Sequence, residues 1–95
     1  MITVHITGHL KDYTGKKRDC QLPEDVGTIL GLVVRLDKMF PGIKDRIFDD
    51  QDRTRQFVNI FVNGANIREL AQEDTKLKEG DVVYVLPSVA GGDSA

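Results

Sequence analysis

The chain holds a single cysteine, Cys20, among its 95 residues. One cysteine closes no internal disulfide, and it removes any four-cysteine iron–sulfur site. A cytoplasmic location is therefore expected. No apolar run approaches the roughly 20 residues a membrane span needs. The start, Met1-Ile2-Thr3-Val4, lacks the basic-then-apolar order of a signal peptide, so none is expected. Neither sign of charge prevails: 13 Lys+Arg stand against 15 Asp+Glu, for a net charge of −2. That gives no general attraction to nucleic acid or to an anionic membrane. The basic run Lys16-Lys17-Arg18 has no interleaved aromatics, which also argues against nucleic acid.

Catalytic and metal-binding signatures are equally scarce. The two histidines, His5 and His9, would stand about 13 Å apart on one strand, too far to share a metal. Asp49-Asp50-Gln51-Asp52 lacks the turn glycine and the closing glutamate of a calcium loop. Gly15-Lys16-Lys17 is followed by no Ser or Thr and opens no helix, so it is not a phosphate loop. No serine sits in a nucleophile elbow. Cys20 has no histidine nearby in sequence and reads as a small structural hydrophobe. No metal, no bound cofactor and no self-contained active site are expected.

What is present is an ordinary globular composition, 40% apolar and 29% charged, at a length for one domain. Residues 2–7 alternate, with Ile2, Val4 and Ile6 on one face, as a half-buried strand does. A polar turn from Lys11 to Lys17 should lead into a second strand, Arg18 to Leu22, ended by Pro23. The period then changes. Thr28 is a candidate N-cap, and Ile29, Leu32, Val33, Leu36, Met39 and Phe40 make one helical stripe, stopped by Pro41-Gly42. Residues 44–55 are dense in charge, with only Ile47 and Phe48 as anchors, and read as a long mobile loop with at most one helical turn. A strand follows over residues 57–62. Asn63-Gly64 is a two-residue hairpin signal, and a short strand, Asn66 to Arg68, should return from it. Leu77 is an inward anchor, and the last strand runs from Asp81 to Leu86. One helix on one face of a mixed sheet of four to five strands is an α+β architecture.

Parity assigns the faces. Val58, Ile60 and Val62 suit the inner face, because Asn59 in their place would bury an amide at a cost of about 1–3 kcal/mol. Phe57 and Phe61 then point away from the helix. On the last strand Tyr84, with its polar tip, puts Val82 and Leu86 outward and Val83 and Val85 inward. If the two strands are neighbours, Phe57, Phe61, Tyr84 and Leu86 form an exposed apolar patch, the kind of surface that docks a partner. The alternative is that the charged segment 44–55 folds over and covers it.

The chain closes on Pro87-Ser88-Val89-Ala90-Gly91-Gly92-Asp93-Ser94-Ala95. Together with FVNIFVNGANIR and LKEGDVVYVLP, the ending PSVAGG resembles the MoaD/ThiS family of sulfur-carrier proteins, and the charged segment before RQFVNIFVN resembles the branch that feeds cysteine biosynthesis. The resemblance spans essentially the whole chain. It implies a ubiquitin-like β-grasp over residues 1–87, with 88–95 a flexible C-terminal tail. It also implies a protein that is a co-substrate rather than an enzyme. An E1-like adenylating enzyme would use ATP to activate the carboxylate of Gly92. Sulfur would displace AMP and leave a thiocarboxylate, which a sulfur-accepting biosynthetic enzyme would use. Gly91, Ala90 and Val89 would be the tail that threads into the activating enzyme, small enough for a narrow cleft, with Pro87 ending strand pairing. The patch of Phe57, Phe61, Tyr84 and Leu86 would hold the body against that partner.

One feature departs from the family pattern. Active members end at the second glycine, whereas here Asp93-Ser94-Ala95 follows it, so Gly92 carries a peptide carbonyl and no carboxylate. A precursor is implied, cut between Gly92 and Asp93 by a JAMM-type metalloprotease. The alternatives are an inert remnant at the end of the chain or an inactive relative. Two other functions stay open. A ubiquitin-like modifier would join the same Gly92 to lysines of target proteins, and a plain interaction module would use the patch without tail chemistry.

Overall fold

The computed structural model describes residues 1–15 and 18–87, the side chain of His9 excepted. Five strands form one mixed sheet: β1 (Ile2–Ile6), β2 (Asp19–Leu22), β3 (Val58–Val62), β4 (Ala65–Asn66) and β5 (Val82–Pro87). Their order in space is β2-β1-β5-β3-β4. β1 and β5 pair in parallel at the centre, and the other three pairings are antiparallel. The helix α1 (Ile29–Met39) lies on one face, with the shorter α2 (Ile43–Ile47) beside it.

The strands bury the residues that their alternation predicts. Ile2, Val4 and Ile6 of β1, Val58, Ile60 and Val62 of β3, and Val83 and Val85 of β5 all enter the core. Apolar burial on this scale is the main force holding the sheet to the helix. Thr28 caps α1, its Oγ1 accepting from the Gly31 amide at 3.1 Å. Ile29, Leu32, Val33 and Leu36 are fully buried beneath the helix. The stripe ends earlier than its spacing suggests. Met39 is 45% exposed, and Phe40, at the point where the helix stops, packs on the core instead. Gly31 is required by space: a Cβ there would lie 2.0 Å from the Val26 carbonyl oxygen. At the hairpin between β3 and β4, Asn63 and Gly64 both take positive φ, 51° and 92°, as a tight two-residue turn demands.

Four local expectations are corrected. The residues from Lys11 were expected in a polar turn, but a 3-10 helix covers Gly8–Tyr13 and buries Leu10, so residue 9 is not on β1. The strand expected over Asn66–Arg68 is only Ala65–Asn66. The Asn66 side chain then accepts from the Arg68 amide and starts a 3-10 turn, Ile67–Glu69. The last strand was expected to run from Asp81 to Leu86, but β5 spans Val82–Pro87, with Pro87 itself still paired opposite Val58. It is tolerated because β1 has already stopped pairing at Ile6–Val85, so the missing N–H costs no ladder bond on that side.

The largest correction concerns residues 44–55, expected as a mobile loop. Ile43 and Ile47 are fully buried and Phe48 is 1% exposed, so this segment closes one end of the core. Its charged remainder is tied down as well. Phe48 bridges to Thr54, and the Thr54 amide and hydroxyl both donate to Glu73 Oε2, at 2.7 and 2.8 Å. Since Ile43, Ile47 and Phe48 pack into the core between sheet and helices, the segment does not fold over the outer face of the sheet.

Candidate functional site

The outer face of the sheet is built by register. His5 stands between Asp19 of β2 and Tyr84 of β5; Tyr84 stands opposite Phe61 of β3; Phe61 stands opposite Asn66 of β4. One row, Asp19–His5–Tyr84–Phe61–Asn66, thus crosses all five strands. Leu86 lies in the next row, opposite Asn59. Phe57 sits just before β3. Tyr84 and Phe57 remain 40% and 39% exposed, while Phe61 and Leu86 are half-buried among their neighbours. Phe61, Tyr84 and Leu86 thus share the outer face of the sheet, while Phe57, expected as the first residue of the same strand, lies in the turn that precedes β3.

Polar groups frame this patch on both sides. The His5 ring stacks on Tyr84, with centroids 4.6 Å apart and planes 24° from parallel. Its Nδ1 hydrogen-bonds the Asp19 carboxylate. A shallow groove of about 280 Å³ runs beside them, lined by His5, Thr7, Arg18 and Tyr84 among others. On the other side, Asn59 Oδ1 accepts from Arg68 Nη1 at 2.7 Å and from Asn66 Nδ2 at 3.3 Å. Sequence reasoning had left His5 as an unassigned surface residue and gave Arg68 no role. The alternation of His5 with Ile2, Val4 and Ile6 did show that it points outward. Nothing local showed that Tyr84 would be its neighbour.

Two knots fix β5, which carries half of the patch. At its start, Asp81 is only 4% exposed. Its carboxylate accepts from Asn63 Nδ2 at 2.9 Å, from the Lys78 amide at 2.9 Å and from Lys78 Nζ at 3.3 Å. Asn63 Oδ1 in turn accepts from the Val82 amide at 3.0 Å. Burial pushes the Asp81 carboxyl up, but the bonds from Asn63 and Lys78 outweigh it and hold the group below the usual carboxylate range. This knot locks the β3–β4 turn to β5 and so sets the register that pairs Phe61 with Tyr84. At the far end, Thr7 N–H and Oγ1 donate to the Val85 carbonyl at 3.3 and 3.4 Å. Gly8, at φ 65°, lies so close that a Cβ would come within 2.9 Å of Pro87 Cγ. Pro87, the last residue of β5, is thus held at a fixed point beside the patch.

The tail residues Val89, Ala90, Gly91, Gly92 and Asp93 lie outside the described residues. Among the described residues no group of three or more His, Cys, Asp and Glu side chains could hold a metal ion. Among them, too, no helix is long and apolar enough to cross a membrane. Cys20 is buried in β2.

Parallel first and last strands at the centre of a five-stranded mixed sheet, with one main helix across it, make this a ubiquitin-like β-grasp protein. A sequence model of the ThiS family matches residues 4–92, and the chain belongs to that family. The match ends on the second glycine. The sulfur carrier protein CysO of Mycobacterium tuberculosis (strain H37Rv) is 32% identical over 93 residues, covering 96% of this chain and 98% of that protein. The small archaeal modifier protein 3 of Haloferax volcanii is 29% identical over 82 residues, 86% of this chain and 88% of that one. Among solved structures, a chain from the Amycolatopsis orientalis BexX/CysO complex superposes with a TM-score of 0.87 at 28% identity, covering 97% of this chain and all of that one.

Proposed function

We propose that this protein carries sulfur on its C-terminal glycine, as a substrate of other enzymes and in the service of cysteine or another sulfur-containing metabolite. The observation that carries the reading is the end-to-end similarity to a protein called a sulfur carrier, together with a family match that runs to Gly92.

The chemistry sets an order of steps. Asp93-Ser94-Ala95 must first be removed, because the Gly92 carbonyl is a peptide until a JAMM-type metalloprotease hydrolyses the bond to Asp93. The freed carboxylate is then a poor electrophile. Attack of its oxygen on the α-phosphate of ATP, in an E1-like enzyme, releases pyrophosphate and makes AMP the leaving group. A sulfur nucleophile displaces AMP and leaves the thiocarboxylate, which a biosynthetic enzyme consumes. The protein binds no cofactor of its own in this scheme.

The fold supports the two things a carrier must do. Residues 88–92 reach at most about 17 Å beyond Pro87, so the partner's active site must lie close to where β5 ends. The patch of Phe57, Phe61, Tyr84 and Leu86 adjoins that point and would seat the body while Val89, Ala90, Gly91 and Gly92 enter the cleft. The Amycolatopsis CysO in complex with BexX is consistent with carriers of this shape being handled by a bound partner.

The test is the accurate intact mass of the protein from its native host, with Cys20 substituted, before and after thiol-specific alkylation. Loss of Asp93-Ser94-Ala95 with an alkylatable oxygen-to-sulfur exchange is expected. An intact chain without modification, under conditions that demand sulfur, would overturn the reading. The similarity to an archaeal modifier protein favours a second reading, conjugation of Gly92 to lysines of other proteins. Isopeptide-linked adducts in extract, dependent on Gly92, would establish it.

A further inference from the structure

We infer that Arg68 is the positioning residue of the docking face, holding the turn that presents Phe57 to a partner. The inference rests on the reading of that face as the seat of the activating enzyme. Arg68 itself lies beside the patch, after β4, in a 3-10 turn anchored by the buried Ile67. Its amide donates to Asn66 Oδ1 at 2.9 Å, which fixes the direction in which its side chain departs.

The guanidinium then serves three acceptors at once. Nη1 donates to Asn59 Oδ1 at 2.7 Å. Nη2 donates to the carbonyl oxygens of Arg55 and Val58, each at 3.1 Å. Those two carbonyls bracket Phe57 in sequence, and the Val58 amide closes the same turn on the Arg55 carbonyl at 3.0 Å. Arg55 is held from behind, its Nε donating to the Asp45 carbonyl at 2.8 Å. Arg68 therefore joins the outer face of β3, through Asn59, to the turn carrying Phe57. A planar fork of donors reaches such a set; the single ammonium of lysine does not. An exposed aromatic contributes to binding in proportion to how little ordering it still needs, and a clamped turn supplies that ordering in advance.

The experiment measures the affinity of the full chain for the purified E1-like adenylating enzyme of the same organism, by calorimetry. The variants are Arg68→Ala, Arg68→Lys, Phe57→Ala, Arg68→Ala with Phe57→Ala, and Tyr84→Ala. Amide hydrogen exchange is followed in the carrier alone. Arg68→Ala is expected to weaken binding about three- to tenfold and to speed exchange at Phe57 and Val58. Arg68→Lys should do the same, because it keeps the charge and loses the fork. In the Phe57→Ala background the loss of Arg68 should cost no further affinity. Equal losses in both backgrounds, wild-type binding by either Arg68 variant, or unchanged exchange at residues 57 and 58 would each overturn the inference. Tyr84→Ala separates it from the reading beneath it. If Tyr84→Ala binds like the wild type, the docking face is wrong and the inference falls with it. If Tyr84→Ala weakens binding while the Arg68 and Phe57 effects simply add, only the inference falls.

Discussion

Tyr84→Ala is the sharpest probe of the outer face, because Tyr84 sits at the middle of the row that crosses the sheet. Its side chain is 40% exposed. A tyrosine buries roughly 150–250 Å² when fully covered, so about 80 Å² is left for a partner to remove from water. At about 25 cal/mol per Å² that contact contributes about 2 kcal/mol, or roughly a 30-fold change in affinity. Stability should suffer less. The ring loses its stack on His5 and its cross-strand neighbour Phe61, together about 1–2 kcal/mol, which lowers the Tm by about 5–15 °C. The assay is ATP–pyrophosphate exchange by the activating enzyme, driven by the chain ending at Gly92, at a temperature where circular dichroism shows the variant folded. KM is expected to rise about 30-fold with kcat unchanged, since the interaction lost is made equally in the ground and transition states. Tyr84→Phe keeps the ring and should keep the KM. An unchanged KM for a folded Tyr84→Ala would refute the docking argument, and a fall in kcat alone would place Tyr84 in the chemistry rather than in binding.

Three further outcomes test the packing beneath that face. Gly31→Ala should lower the urea midpoint despite a helix-propensity gain of about 1 kcal/mol, because its Cβ would meet the Val26 carbonyl oxygen at 2.0 Å; a raised midpoint would contradict the clash. The lowered pKa of Asp81 means its contribution to stability is full above the unfolded-state value near about 4 and is lost as pH falls through the still lower folded-state value. Asp81→Asn should therefore cost about 1–3 kcal/mol at neutral pH, with the gap to wild type narrowing in acid; urea curves that stay parallel across pH would argue against it. Phe48→Ala should cost about 3–5 kcal/mol by chemical denaturation, whereas a side chain on a solvated loop would cost under about 0.5 kcal/mol.

How far the fold could be read in advance depended on the range of each signal. Alternation in Ile2–Ile6 and Val58–Val62, the cap at Thr28 and the Asn63-Gly64 turn are local patterns, and each survives in the structure. Ile47 and Phe48 were legible as anchors, but so few apolar residues among charges fall below any periodicity, and the segment's fixed place in the core was not legible. Their burial comes from the space left beyond α1, which no window of sequence contains. The 3-10 turn at Gly8–Tyr13 was missed for the same reason, its one fully buried apolar residue, Leu10, being too little to mark an element.

The candidate site divides along the same line. A diglycine followed by three residues is chemistry written in consecutive positions, so it needs no fold to be noticed. Parity then showed which way Phe61 and Tyr84 point, but only register shows what stands beside them. His5 meets Tyr84 through a parallel pairing of the first strand with the last, the longest-range pairing in the sheet and the one least visible locally. That same pairing gives β5 its part in the proposed function. Its inward Val83 and Val85 lie fully buried in the core, its outward Tyr84 and Leu86 form half of the patch, and Pro87 is its last residue. With Asp81 knotted at one end and Pro87 set against Gly8 at the other, the strand has little room to slide. In the proposed function, a partner that gripped the patch would therefore meet the end of β5 at a constant distance from it.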